Sequence, residues 1–245
     1  MGELVSVAGQ KVLNGKKTWT KHPRPQMKRD NYMIINEGWT IDGKEIKVPF
    51  PPQSLLSGYK DEVKDEFCYK VNFKYLNEVG QRVLLHFGAV DQIAEVWVNG
   101  QLVGTHEGGY LAFTFDITNV VKRDGGNTLT VKVTDTLSRK YPYGKQSYKR
   151  GGMWYTPVSG IWQCVWLESV PQNYVRSLDI HTTLDSVTIT ADGITEGRIR
   201  IETDRMPIYA DLTDGCAQVK IPDPQHWTPE SPHLYRFTLT AGADV

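Results

Sequence analysis

Scarcity is informative in this 245-residue chain. Cysteine is rare: Cys68, Cys164 and Cys216 are odd in number and far apart, which argues against a disulfide framework. Cys68 and Cys164 fall inside apolar stretches and are expected to act as small buried hydrophobes. Net charge is also missing, because 28 basic and 28 acidic side chains cancel. That balance gives no global attraction to nucleic acid or to an anionic membrane. No apolar run approaches the ~18 residues of a membrane helix. Met1 to Gln10 lacks a basic start followed by an apolar stretch, so no secretory leader is expected. A soluble protein follows, with cytoplasm and periplasm both open. Helical periodicity is the last absentee. No apolar stripe extends over three turns, and there are no repeats or low-complexity tracts.

What the chain does contain is period two. Phe67 to Tyr75 alternates apolar and mostly polar residues, as a half-buried strand must. Arg82 to Val90 reads as a more continuously apolar strand. Ile93 to Val98, Asn99-Gly100 and Gln101 to Gly104 read as a hairpin, since Asn-Gly suits a turn with two positive φ values. Leu111 to Asp116 and Thr128 to Val133 are further strands, and one helical turn is expected at Thr118 to Val121. Composition breaks at Pro171-Gln172-Asn173. Shorter strands follow at Val187 to Thr190, Arg198 to Ile201, Ala217 to Ile221 and Leu234 to Thr240. Many short strands with regular turns argue for antiparallel sandwiches. Three segments are expected: an arm over 1–24, a large sandwich over 25–171 and a small one over 172–245. The last is short for an immunoglobulin-like domain, so its final strand is expected to be missing or its loops trimmed.

Chemistry-bearing patterns are mostly absent. The six histidines show no metal-ligand spacing, no Gly-rich phosphate loop opens a helix, and no Gly-x-Ser-x-Gly elbow occurs. No metal or cofactor is implied. Arg139-Lys140 through Lys149-Arg150, interleaved with Tyr141, Tyr143 and Tyr148, has the make-up of a single-strand binder. Against zero net charge, a solvated loop that packs on a neighbouring domain is the expected reading. The stretch Gly151-Gly152-Met153-Trp154-Tyr155-Thr156-Pro157-Val158-Ser159-Gly160-Ile161-Trp162 is more telling. A glycine pair frees the backbone, large flat side chains follow, and a turn leads into an apolar strand. Aromatic faces so placed suit the C–H face of a pyranose. Trp97, Trp162 and Trp166, lying on strands, are expected in the core, and Trp227-Thr228-Pro229 under the small sandwich. Asp91 is expected to be a turn former or loop anchor, and Gly108-Gly109 to permit a tight backbone passage.

Ser159-Gly160-Ile161-Trp162 followed by Val165-Trp166-Leu167-Glu168 resembles a signature of glycoside hydrolase family 2, the β-galactosidases, β-glucuronidases and β-mannosidases. Arg24-Pro25-Gln26 with Asn36-Glu37-Gly38-Trp39, Val48 to Ser54, Gly88 to Gly100, Glu107 to Thr118 and Trp227 to Tyr235 resemble other blocks of that family, in order. The resemblance implies an all-β fold: a jelly-roll, galactose-binding-like β-sandwich, then a small immunoglobulin-like β-sandwich. It also implies that the two catalytic glutamates of the family belong to a (β/α)8 barrel that follows. Asn36-Glu37 and Asn77-Glu78 look like the family's acid/base pair, but no strand–helix alternation surrounds them, and a barrel alone needs ~250 residues. Both are expected in turns, with no catalytic residue here and no hydrolysis by this chain alone. The implied partners are carbohydrate and the barrel of the same polypeptide, with a homo-oligomer possible and neither nucleic acid nor membrane. Apolar surface left by an absent barrel would promote self-association. The family's jelly roll lends loops to the rim of the sugar site. Here the matching residues are Gln53, Ser54, Met153, Trp154 and Tyr155, as sugar-rim or interdomain candidates. Trp154 or Tyr155 would stack and Gln53 would hydrogen-bond. Gly152 stands where some members carry an acid, which removes a galactose-specific hydroxyl contact. A stand-alone carbohydrate-binding module is the alternative reading.

Overall fold

The computed structural model describes residues 22–24, 26–75, 80–123, 125–149 and 151–245. Most of the 1–24 arm, Asn77-Glu78, Pro25 and Arg150 lie outside the described residues. Two compact units are present. Asp30–Ser169 make the larger, together with residues 22–24. Gln26–Arg29 and Val170–Val245 make the smaller.

The larger unit carries twelve strands: β1 (Tyr32–Ile34), β2 (Trp39–Ile41), β3 (Lys44–Ile46), β4 (Glu66–Lys74), β5 (Arg82–Phe87), β6 (Val90–Asp91), β7 (Ile93–Val98), β8 (Gln101–Glu107), β9 (Phe113–Asp116), β10 (Gly126–Thr134), β11 (Gly160–Ile161) and β12 (Val165–Val170). The last residue of β12 is assigned to the smaller unit. A six-stranded sheet runs β3-β2-β4-β10-β7-β8 and a four-stranded sheet β1-β12-β5-β9, while β11 pairs with β6. Alternation dictates the register of the larger sheet. Leu129, Val131 and Val133 of β10 face Val98, Val96 and Ala94 of β7 on one side and Val71, Tyr69 and Phe67 of β4 on the other. All nine point into one core, and a slip of one residue would turn them to solvent.

The same alternation corrects the expectation for Trp97. Its neighbours Val96 and Val98 hold the core face, which leaves Trp97 half-buried on the other. Trp162 is half-buried as well, whereas Trp166 is buried as expected. The long strand expected over Arg82 to Val90 breaks at Gly88, where a side chain would strike Gln163. Thr118 to Val121 makes the single turn expected there, closed by Val121 N–H donating to the Ile117 carbonyl four residues back, and does not extend into a helix. Asn99 and Gly100 both have positive φ, as their turn requires. Asn36 is buried and accepts from Val165 N–H at 2.9 Å through its side-chain oxygen, so it braces β12.

The smaller unit contains β13 (Ser177–Thr182), β14 (Ser186–Asp192), β15 (Gly197–Ile201), β16 (Ile208–Leu212), β17 (Cys216–Lys220) and β18 (Phe237–Thr240). They form two three-stranded sheets, β13-β14-β17 and β16-β15-β18. Val187, Ile189, Ile199, Ile201, Leu212 and Val219 fill the core between them. Met27, from the segment ahead of the jelly roll, packs against that core. Arg29 seals it, donating to both carboxylate oxygens of Asp244 at 2.6 and 2.8 Å and to the Val175 carbonyl at 2.8 Å. Trp227 is 58% exposed and does not pack beneath the sandwich, because no residue of 222–236 joins a strand that would press it inward. Cys68 is half-buried, Cys164 buried and Cys216 exposed, all as free thiols.

Candidate functional site

The aromatic loop is ordered by its own backbone. Tyr155 N–H donates to the Lys145 carbonyl at 2.8 Å, Ser147 N–H to the Tyr155 carbonyl at 3.0 Å, and Val158 N–H to the side-chain oxygen of Gln146 at 2.7 Å. Gly151 (φ +132) and Gly152 (φ +59) take up conformations that side-chain-bearing residues avoid, and they turn the chain so that Trp154 N–H reaches the Gly151 carbonyl. Three consecutive large side chains therefore stand in solvent: Met153 59%, Trp154 48% and Tyr155 68% exposed. Ordering them outside costs burial energy that a core position would recover.

Gln53 braces the foot of that loop, while Ser54 shapes the turn that follows Gln53. The Gln53 amide donates to Ser159 Oγ at 2.7 Å, and its oxygen accepts from Ser159 N–H at 3.1 Å. Both ends of the carboxamide are thus committed to one residue at the foot of the aromatic loop. Ser54 caps a short 3₁₀ turn, Leu55–Ser57, by accepting from Leu56 N–H. The structure brings the Gln53 loop to Ser159 and leaves the side chains of Met153, Trp154 and Tyr155 exposed.

Beside Ser159 lies a feature that motif reading missed. Gly160 pairs with Asp91 across β11 and β6. Asp91 is only 5% exposed, and its carboxylate has no hydrogen bond or ion pair with any described residue. It is therefore not an anchor. It presses on Gly109, where a Cβ would sit 2.1 Å from Oδ1, so the tight passage expected there is real. Gly109 in turn accepts from the Trp162 indole N–H at 2.7 Å, and Tyr110 meets the Trp162 ring edge-on, centroids 6.0 Å apart. Burial disfavours the charged form and raises Asp91 to about 6. Asp135, just past β10, is raised to about 7 by burial, by Asp91 and by Asp65. Thr134 of β10 is paired with Ile93 and Glu66, so Asp65, Asp135 and Asp91 collect at one end of three neighbouring strands. Burial and the same two acids, Asp91 and Asp135, raise the Tyr110 phenol. Apolar alternation points to none of this. The available signal was an aspartate at the end of each of two strands, Asp91 closing β6 and Asp135 directly after β10.

Elsewhere in the unit a second acid has the opposite treatment. Glu168 on β12 is fully buried. One Arg24 nitrogen donates to both of its oxygens at 2.7 and 2.8 Å, His22 Nε2 lies 3.1 Å from Oε1 and His86 Nε2 3.2 Å from Oε2. Burial alone would raise this carboxyl, but His86 and Arg24 hold it well below the ordinary carboxylate range. Among the described residues no group of His, Cys, Asp and Glu is arranged to hold a metal ion. No helix of the described residues is long and apolar enough to cross a membrane.

A jelly-roll β-sandwich followed by an immunoglobulin-like β-sandwich defines a class of sugar-associated domains. The model of the glycosyl hydrolase 2 galactose-binding-like domain matches residues 45–193, and that of glycosyl hydrolases family 2 matches 171–244. The chain belongs to glycoside hydrolase family 2. A β-galactosidase of Thermoanaerobacter pseudethanolicus is 26% identical over 94% of this chain, which spans 33% of that protein. A β-glucuronidase of Felis catus is 26% identical over 68% of the chain and 30% of its own length. The chain thus covers about a third of these relatives. Among solved structures, a β-glucuronidase of an uncultured Clostridium superposes with a TM-score of 0.69 at 22% identity, covering 90% of this chain and 44% of that one.

Proposed function

We propose that this chain is the non-catalytic N-terminal region of a family 2 β-glycosidase, and that it positions the catalytic barrel and shapes the sugar pocket. The observation that carries the reading is the row Met153, Trp154 and Tyr155, held in solvent on a loop whose foot is locked by Gln53 and Ser159. Such a platform is useful only when something flat and partly apolar covers it. Sugar, the neighbouring barrel or both are the occupants that fit. Relatives named as β-galactosidases and β-glucuronidases, of which this chain spans about a third, support the same view.

Two measurements test it. The coding sequence beyond Val245 is expected to continue into a (β/α)8 pattern with two glutamates; a stop codon there would remove the enzyme and leave a carbohydrate-binding module. That second reading is favoured by the exposure of the aromatic loop in the chain alone. The other test is Trp154→Ala. It is expected to weaken glycoside binding about tenfold, or ~1.4 kcal/mol, with the circular dichroism spectrum unchanged. Unaltered binding in both Trp154→Ala and Tyr155→Ala would remove the loop from the site.

A further inference from the structure

Buried Asp91 and half-buried Asp135, beside the aromatic loop, carry an inference about which sugars the rim accepts, resting on the sugar-rim reading above. We propose that Asp91 and Asp135 form an acidic wall that accepts neutral, hydroxyl-bearing glycosides and excludes uronic acids. Two observations support it independently. The first is placement. Strand register delivers Asp65, Asp135 and Asp91 to the same end of β4, β10 and β7, next to Gly160 and hence to Ser159 at the foot of the aromatic loop. The second is the state of Asp91 itself. It is nine-tenths buried, pressed against Gly109, and without a partner among the described residues for either oxygen.

A carboxylate left in this condition is an unused hydrogen-bond acceptor, and a buried one is costly until a donor arrives. Sugar hydroxyls are donors of the right kind, and Tyr110 and Trp162 supply flanking aromatic surface. A uronate brings a further negative charge into the same low-dielectric surroundings, where repulsion between like charges is strong. Burial alone raises Asp91, while Asp135 is raised by burial, Asp91 and Asp65, and the pair in turn raises the Tyr110 phenol, so no positive charge acts on either acid. His106, the nearest histidine in sequence, bonds to the Gly108 carbonyl and stacks on Phe113. Discrimination here works by rejecting the wrong ligand as much as by holding the right one. The wall also has a built-in weakening. With Asp91 raised to about 6 and Asp135 to about 7, it carries most of its charge at pH 8 and little at pH 5.

The experiment is a titration of the 245-residue chain with methyl β-D-galactopyranoside, methyl β-D-glucopyranoside and methyl β-D-glucuronide, followed by saturation-transfer and heteronuclear NMR. At pH 8 the neutral glycosides are expected to bind at least about tenfold more tightly than the uronide. At pH 5 that ratio shrinks. In an Asp91→Asn, Asp135→Asn double variant it falls toward one at pH 8. Equal or tighter binding of the uronide at pH 8 overturns the proposal, as does a ratio indifferent to pH and to both substitutions. The pH arm needs no variant, so a misfolded mutant cannot shelter the idea. Should none of the three glycosides bind, the sugar-rim reading itself fails, and the acidic wall with it. Binding without discrimination sinks the wall alone.

Discussion

Glu168 and Asp91 are two carboxylates buried in the same sandwich, and the protein treats them in opposite ways. Glu168 is surrounded by Arg24, His22 and His86, and its charge is held on even though it is fully buried. Asp91 receives no donor from the described residues, and burial pushes its proton back on. The difference teaches where rigidity is wanted and where an opening is kept. A compensated acid ties the entering chain, residues 22–24, to the face of β12. An uncompensated one is destabilising by itself, and it is tolerated where a ligand or solvent supplies what the protein does not.

Removing the compensated charge should produce the largest effect. Glu168→Gln leaves half-buried Arg24 without its charged partner, and is expected to cost about 3 kcal/mol of unfolding free energy, read by urea denaturation. Asp91→Asn should act in the other direction. Its neutral amide lifts the desolvation penalty, so at pH 8 the variant is expected to gain roughly 1–3 kcal/mol over wild type, with the gain shrinking by pH 5. A loss of stability at pH 8 would mean that Asp91 has a partner after all.

Wild-type pH dependence follows from the same contrast. Burial pushes Asp91 up to about 6 and Asp135 up to about 7 in the folded state, above the ordinary aspartate value of 3.8. The folded protein therefore holds more protons than the unfolded chain between those limits, and stability falls as pH rises through them. Glu168 is shifted downward, so its contribution is present above its unfolded pKa and is lost only in strong acid. Melting temperature is expected to be higher at pH 5 than at pH 8, by roughly 2–4 °C per kcal/mol. The smallest effect belongs to an exposed pair of similar geometry. Arg176 donates twice to Asp192 at 2.9 Å, but both side chains are in water, and Arg176→Ala should leave the melting curve unmoved.

The sandwich was legible because its middle strands obey a period of two. β4, β7 and β10 can be read from alternation alone, and the Asn99-Gly100 hairpin from turn chemistry. Tryptophan was a poorer guide. Hydrophobicity predicts Trp97 in the core, but its place between Val96 and Val98 turns it outward. The strand β13 escaped notice although Ser177 to His181 alternates polar and apolar residues, because the run is short and five of its six residues are exposed, Ile180 among them. At the site, the aromatic loop was readable as a local string of residues. Asp91 was not, because its burial comes from Gly109 and Gly160, brought together by strand pairing and not by nearness in sequence.

The ion pair between Arg29 and Asp244 sets an order of events for synthesis. These partners are 215 positions apart, and between them lie all the described strands of the jelly roll. In topological terms those strands are inserted into the small sandwich. At translation rates of roughly 5–20 residues per second, Arg29 leaves the ribosome some ~10–40 s before its carboxylate exists. The jelly roll can fold in that interval, while the small sandwich must wait for the far end of the chain to return. A fragment that starts at Val170 would never receive the arginine, so the smaller unit is best produced with residues 26–29 supplied or with Asp244 replaced.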